Sequence, residues 1–140
     1  MNIDSIERGV VIDHIDAGKG MELVRLLHLD KLTCPVAVIR NARSSKTGKK
    51  DIIKIEDEID LDFDVLGFID PSITVNIIVN GHIVEKKRIA PPHRVVNVVQ
   101  CKNPRCITSV ERELPQIFRR ADESSVYRCA YCEQEYQQPE

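Results

Sequence analysis

The chain has 140 residues and a mass of 15.9 kDa, room for one ordinary domain or two small ones and too little for a multidomain enzyme. Twenty Lys and Arg against 22 Asp and Glu give a formal net charge of -2, with a pI near 6.1. No global field therefore draws the molecule onto nucleic acid or an anionic membrane, and any anion site has to be local. With 42% hydrophobic residues, 30% charged residues and no Trp, an aliphatic core is expected.

The beginning of the chain has no basic segment followed by an apolar stretch, and no apolar run approaches the roughly 20 residues of a membrane helix. A cytoplasmic protein is the expectation. Between Glu7 and Ile15, the apolar Val10, Val11, Ile12 and Ile15 predict a strand, with Gly9 as the candidate bulge. Asp13 and His14 are adjacent, so they face opposite sides of a regular strand and serve one site only if the strand ends or bulges there. Leu23, Leu26 and Leu27 share one helical face and Glu22, Arg25 and His28 another, which predicts an amphipathic helix over residues 19–29.

Strands over Val36–Arg43 and Asp51–Glu56 follow, joined by a turn at Ser44–Gly48. Cys34, at the edge of the first of these, reads as a buried thiol without chemical consequence. A helix over Asp60–Ile69 opens with Asp60, Asp62 and Asp64 at its positive end and is stopped by Pro71. Alternating Ile73, Val75, Ile77 and Val79 make a strand, Asn80-Gly81 a tight hairpin turn, and His82–Ile89 the returning strand. Strand, helix, strand, strand, helix, strand and one further strand is a ferredoxin-like α+β order, an antiparallel sheet with two helices on one face.

Ala90-Pro91-Pro92-His93-Arg94 interrupts this pattern, because neither helix nor central strand runs through two prolines. The expected division is residues 1–91 and 92–140. The second part is too short to bury a sufficient core unaided, and four of the five cysteines fall within it. Cys101 and Cys106 are separated by four residues, Cys129 and Cys132 by two, and the pairs by 22. That is the spacing of two knuckles aiming four thiolates at one zinc ion in a small all-β domain. Four sulfurs leave no open coordination position, so a single structural Zn2+ is expected. Disulfides or a redox Cys-x-x-Cys are the competing readings.

Arg40, Arg43, Lys46, Lys49, Lys50 and Lys54 precede an acidic stretch of Glu56, Asp57, Glu58, Asp60, Asp62 and Asp64, most of it readable as solvated surface. Lys50 and Lys54, four apart on a strand, share one face and can hold phosphate; Asn76 and Lys86 lie on neighbouring strands and can add a neutral donor and a third cation. No Ser, His and Asp constellation and no phosphate-cradling glycine loop with Lys accompanies them, so the chain is expected to bind rather than transform. A nucleic-acid-binding zinc ribbon is the alternative. Against it stand the net charge and the confinement of aromatics in the first part to Phe63 and Phe68, both on a predicted helix. A stand-alone metalloenzyme is incompatible with a closed thiolate site.

Arg8-Gly-Val-Val-Ile-Asp-His-Ile15, Gly48-Lys-Lys-Asp-Ile-Ile-Lys-Ile-Glu56, Thr74-Val-Asn76 and the cysteine pairs, in that order, resemble the regulatory chain of aspartate carbamoyltransferase, from about Ile6 to Tyr136. The resemblance implies a non-catalytic subunit in pyrimidine biosynthesis. It implies binding of CTP or ATP as allosteric effectors in residues 1–91, pairing into a homodimer, and docking on the catalytic chain through the zinc domain, without nucleic acid or membrane as partner. By position it implies that Asp13 meets the ribose and Lys54 lies near base and ribose. His14, Asn76 and Lys86 then contact phosphate, Lys50 lines the same pocket, and Ile6, Ile78 and Ile83 supply apolar or main-chain contacts around the base.

Overall fold

The computed structural model describes residues 6–45, 48–121, 123 and 126–136. It divides into two compact units, Met1–Ala90 and Pro91–Glu140. Lys46, part of the expected basic run, lies outside the described residues, as does the centre of the turn expected at Ser44–Gly48.

In the first unit β1 (Gly9–Asp16), α1 (Gly20–Leu26), β2 (Val36–Ser44), β3 (Gly48–Ile55), α2 (Phe63–Ile69), β4 (Thr74–Val79) and β5 (His82–Arg88) follow in chain order. The strands form one antiparallel sheet in the order β2-β3-β1-β4-β5, the expected split arrangement with one strand added at the edge. Val10, Ile12, Ile15, Ile53, Ile55, Ile73 and Val75 project from one face into a core shared with Leu23, Val65, Leu66, Phe68 and Ile69 of the helices. The aliphatic composition is expressed as this β-branched face, which suits a pleated surface packed on one side.

Several local details differ from the sequence reading. The first helix ends at Leu26, because His28 takes a left-handed conformation (φ 56°) and a short 3-10 turn, Leu29–Lys31, follows. The second helix begins at Phe63 and not at Asp60: Asp62 is its cap, accepting from the amides of Asp64 (3.0 Å) and Val65 (3.2 Å). Cys34 is half-buried in the bend before β2 rather than buried. Gly9 marks a close approach and not a bulge; at φ 153° a Cβ there would overlap the carbonyl oxygen of Ile55. The bulge lies further along β1, between Ile12 and Ile15.

Asp51, on β3, is fully buried. Its Oδ2 accepts from the amides of Gly18 (3.1 Å) and Gly20 (3.0 Å) and its Oδ1 from that of Asn41 (3.0 Å), so one carboxylate ties the start of α1 and the irregular part of β2 to the centre of the sheet. Asp70 plays a similar part at the end of α2, accepting from the amides of Asp16 (2.8 Å) and Ser72 (2.9 Å).

The second unit is a three-stranded antiparallel sheet of β6 (Arg94–Val96), β7 (Ile117–Arg120) and β8 (Tyr127–Cys129), with Val95, Phe118 and Cys129 in one cross-strand row. Among its described residues the buried apolar set is Val95, Cys106, Phe118, Tyr127 and Cys129. Two of these five are cysteines, so the core is built as much around sulfur as around hydrocarbon. Tyr127 anchors the start of the unit by donating its hydroxyl to the Pro92 carbonyl at 2.6 Å. No helix among the described residues is long and apolar enough to cross a membrane.

Removing the Asp51 carboxylate strips three amides of their acceptor, each loss costing on the order of 1 to 3 kcal/mol where water cannot replace it. Asp51→Ala is therefore expected to lower stability in urea unfolding by about 3 kcal/mol or more, and Asp51→Asn by less. A change in Asp51→Ala below about 0.5 kcal/mol, the range of ordinary surface substitutions, would contradict this role.

Candidate functional site

The face of the sheet opposite the helices carries the polar residues singled out in the sequence. The β1 bulge is the reason they converge. Ile12 and Ile15 are both fully buried, although three residues apart, so the alternation of the strand is reset between them and Asp13 and His14 both turn away from the core. His14 absorbs the irregularity at φ 60°, a conformation that L-residues rarely adopt, and its amide donates to Asp13 Oδ1 at 2.6 Å. The second condition stated for Asp13 and His14, a bulge, is the one the structure satisfies.

Asp13 Oδ1 also pairs with Lys50 Nζ at 3.0 Å, and both side chains are less than one fifth exposed. His14 Nδ1 is 2.8 Å from Thr74 Oγ1 on β4. Beside this cluster a second row crosses four strands: Lys54 on β3 is opposite Val11 on β1, Val11 opposite Asn76 on β4, and Asn76 opposite Lys86 on β5. Asn76 is 7% exposed, and its Oδ1 is buried without a hydrogen-bond partner. A polar atom desolvated and left unpaired costs free energy, and such atoms concentrate where a ligand completes the set. The row beyond is apolar, Gly9 opposite Ile78 and Ile78 opposite Ile83, with Ile83 57% exposed and Ile78 half-buried.

The hairpin turn closes this end. Asn80 and Gly81 both have positive φ (51° and 76°), and the Gly81 amide donates to the Glu7 carbonyl at 2.8 Å, next to the buried Ile6. Asp13, His14, Lys50, Lys54, Asn76, Ile78, Ile83 and Lys86 thus occupy one sheet face, graded from cationic and polar to apolar, with Ile6 in the segment bonded to the hairpin turn. Thr74, bonded to the His14 ring, and Val11, at the centre of the middle row, lie on the same face and are not among the candidates singled out from sequence. Strand register alone would have found them.

In the second unit the four cysteine sulfurs lie within 4.8 Å of one another. Cys101 and Cys132 sulfurs are 3.6 Å apart and those of Cys106 and Cys129 3.7 Å. The edge of a tetrahedron with ligands about 2.3 Å from a zinc ion is about 3.8 Å, so the donor set fits that ion. Disulfides are excluded by the same distances, which far exceed a bond of about 2.05 Å. The redox alternative lacks its helix: Cys129 ends a strand and the chain turns, with the Glu133 amide on the Cys129 carbonyl at 2.8 Å and Glu133 at φ 66°.

Both knuckles aim backbone amides at sulfur, Asn103 at Cys101, Tyr131 and Cys132 at Cys129, and Gln134 at Cys132. Burial pushes the Cys101 thiol up to about 12 and raises Cys129 as well. At Cys132 desolvation is outweighed by the Gln134 amide and by donors from Asn103 and neighbouring cysteines, which hold it at about 7. Without a cation Cys101 and Cys129 would stay protonated, and a bound divalent ion supplies the charge that makes them thiolates.

Comparison with known proteins bears on both units. The family model for the allosteric domain of the aspartate carbamoyltransferase regulatory chain matches residues 1–90, and that for the metal-binding domain of the same chain matches residues 93–140. The aspartate carbamoyltransferase regulatory chain of Clostridium botulinum strain Hall is 50% identical over 137 residues, covering 97% of this chain and 94% of that relative. Those of Clostridium tetani (50% over 138 residues, 97% and 96%) and Bifidobacterium longum (43% over 136 residues, 96% and 98%) are similar along their length. With an allosteric-domain match over the five-stranded sheet and a metal-binding-domain match over a four-sulfur cluster suited to one structural zinc, the chain belongs to the family of aspartate carbamoyltransferase regulatory chains.

Proposed function

We propose that residues 1–91 form an allosteric domain whose free sheet face binds a nucleoside triphosphate, CTP or ATP, and that residues 92–140 form a zinc-bearing domain that docks on the catalytic chain. The observation that carries the nucleotide reading is the graded face. Three lysines stand against one carboxylate around a buried, unpartnered Asn76 Oδ1, with isoleucines at the far end. Polyphosphate at the cationic end leaves the base against Ile78, Ile83 and the Ile6 segment. In this arrangement His14, Lys86 and the side-chain NH2 of Asn76 contact phosphate with Lys50 beside them. The Asn76 Oδ1 accepts from a hydroxyl or amino group of the nucleoside, Asp13 meets the ribose, and Lys54 lies between ribose and base.

The Lys50–Asp13 pair gives the site a way to respond. An incoming phosphate competes with Asp13 for the Lys50 ammonium, and Asp13 is free to accept from a ribose hydroxyl when that contact loosens. An effector moves an allosteric equilibrium only by the difference of its affinities for the two states, typically about 1 to 3 kcal/mol, so one rearranged ion pair on a strand bulge is of sufficient size. Docking is supported by apolar side chains displayed on the zinc-bearing unit, Ile107 52% and Val110 77% exposed. A homodimer of these chains, each dimer bridging catalytic trimers, completes the reading that the family resemblance suggests.

Lys86→Ala removes one charge-assisted phosphate contact, worth about 1.5 to 3 kcal/mol, and is expected to weaken CTP or ATP binding at least tenfold by calorimetry. An unchanged affinity contradicts the phosphate assignment. Withdrawing zinc with a chelator is expected to abolish co-elution with the catalytic chain on size exclusion while nucleotide binding by the same sample persists. Retained co-elution contradicts the docking role of the zinc domain.

A further inference from the structure

Thr108 is 1% exposed and sits in the 3-10 turn Ile107–Ser109 immediately after Cys106, with its Oγ1 donating to Cys106 Sγ at 3.1 Å. A buried hydroxyl costs free energy unless its proton finds an acceptor. A neutral thiol is a weak acceptor, whereas a thiolate accepts a charge-assisted hydrogen bond. The sulfur concerned is itself buried, at 1% exposure for the residue.

A divalent cation among four thiolates leaves two net negative charges in a partly dry site, which fixed donors must offset. Backbone amides serve Cys101, Cys129 and Cys132. Cys106 is met by a side chain. The turn that delivers it is closed by the Ser109 amide on the Cys106 carbonyl (2.9 Å), and the Ser109 hydroxyl donates to the Asn103 carbonyl (2.8 Å). Asn103 belongs to the same knuckle, its carbonyl accepting from the Cys106 amide at 3.1 Å. The hydroxyl is therefore held by the loop it supports.

We infer that Thr108 is a positioning residue of the metal centre: its hydroxyl fixes Cys106 Sγ in the ligating direction and spreads the charge on that sulfur, raising affinity for a thiophilic divalent ion. The inference rests on the zinc reading of the cluster. Outer-sphere partners of this kind typically change metal affinity by about 10 to 100-fold when removed. Thr108→Val keeps the shape and removes the proton donor; Thr108→Ser keeps the donor and removes the methyl.

The test uses the full chain, titrating zinc against a chromophoric chelator and recording the sulfur-to-metal charge-transfer band after cobalt substitution. Thr108→Val is expected to hold zinc about 10 to 100-fold less tightly and to shift the cobalt band, while Thr108→Ser matches the parent in both. Equal zinc affinity and an unshifted band in Thr108→Val overturn the inference. A loss in Thr108→Ser equal to that in Thr108→Val also overturns it, since packing of the methyl would then be the cause. If the unaltered chain holds neither zinc nor cobalt, the zinc reading itself fails, which is a separate result.

Discussion

Four cysteine sulfurs gathered within 4.8 Å are the constraint on which the second unit depends. Apart from two of these cysteines, the buried apolar residues described there are Val95, Phe118 and Tyr127, too few to offset the conformational entropy of ordering about 50 residues. Metal binding of roughly 10 to 16 kcal/mol supplies what this core lacks. The short strands and tight turns are then intelligible as a frame that presents two knuckles to one ion. Amide-to-sulfur contacts recur in both knuckles because a thiolate cluster needs its charge offset from every side.

The first unit works by a different economy of parts. Its core is a mainly aliphatic layer, and its backbone irregularities include the β1 bulge beneath the polar face. One extra residue in β1 turns both Asp13 and His14 onto the face that also bears Lys50, Lys54, Asn76 and Lys86. The cost of a left-handed His14 is borne by a strand flanked on both sides by others, so the distortion stays local. Asp51 and Asp70 secure the neighbouring connections with buried carboxylates bound to amides, so the polar face rests on a rigid support.

Much of this was legible in the residues. The cysteine spacing announced a four-sulfur site because a knuckle is a local structure whose geometry is set by its own few residues. Alternation in Ile73–Val79 and the Asn80-Gly81 turn gave the hairpin for the same reason. The bulge was also present in the sequence, as a core spacing of two and then three residues at Val10, Ile12 and Ile15, but strand periodicity applied as a rule passes over it. Other features were not accessible locally. Asp51 looks like an ordinary charge near a strand end, and its burial is explained only by amides at Gly18, Gly20 and Asn41. Three aspartates could each have begun α2, and only the backbone shows that Asp62 does. Thr108 is unremarkable in sequence until folding places its hydroxyl on Cys106.

The central claim is that metal coordination by four thiolates organises one unit while the other stands on its aliphatic core. Amide hydrogen exchange of the full chain, followed as zinc is withdrawn, tests it most directly. Protection is predicted to collapse together across residues 91–136 and to persist in β1, β3 and β4. Undiminished protection around Cys106 and Cys129 in metal-free protein would contradict the account.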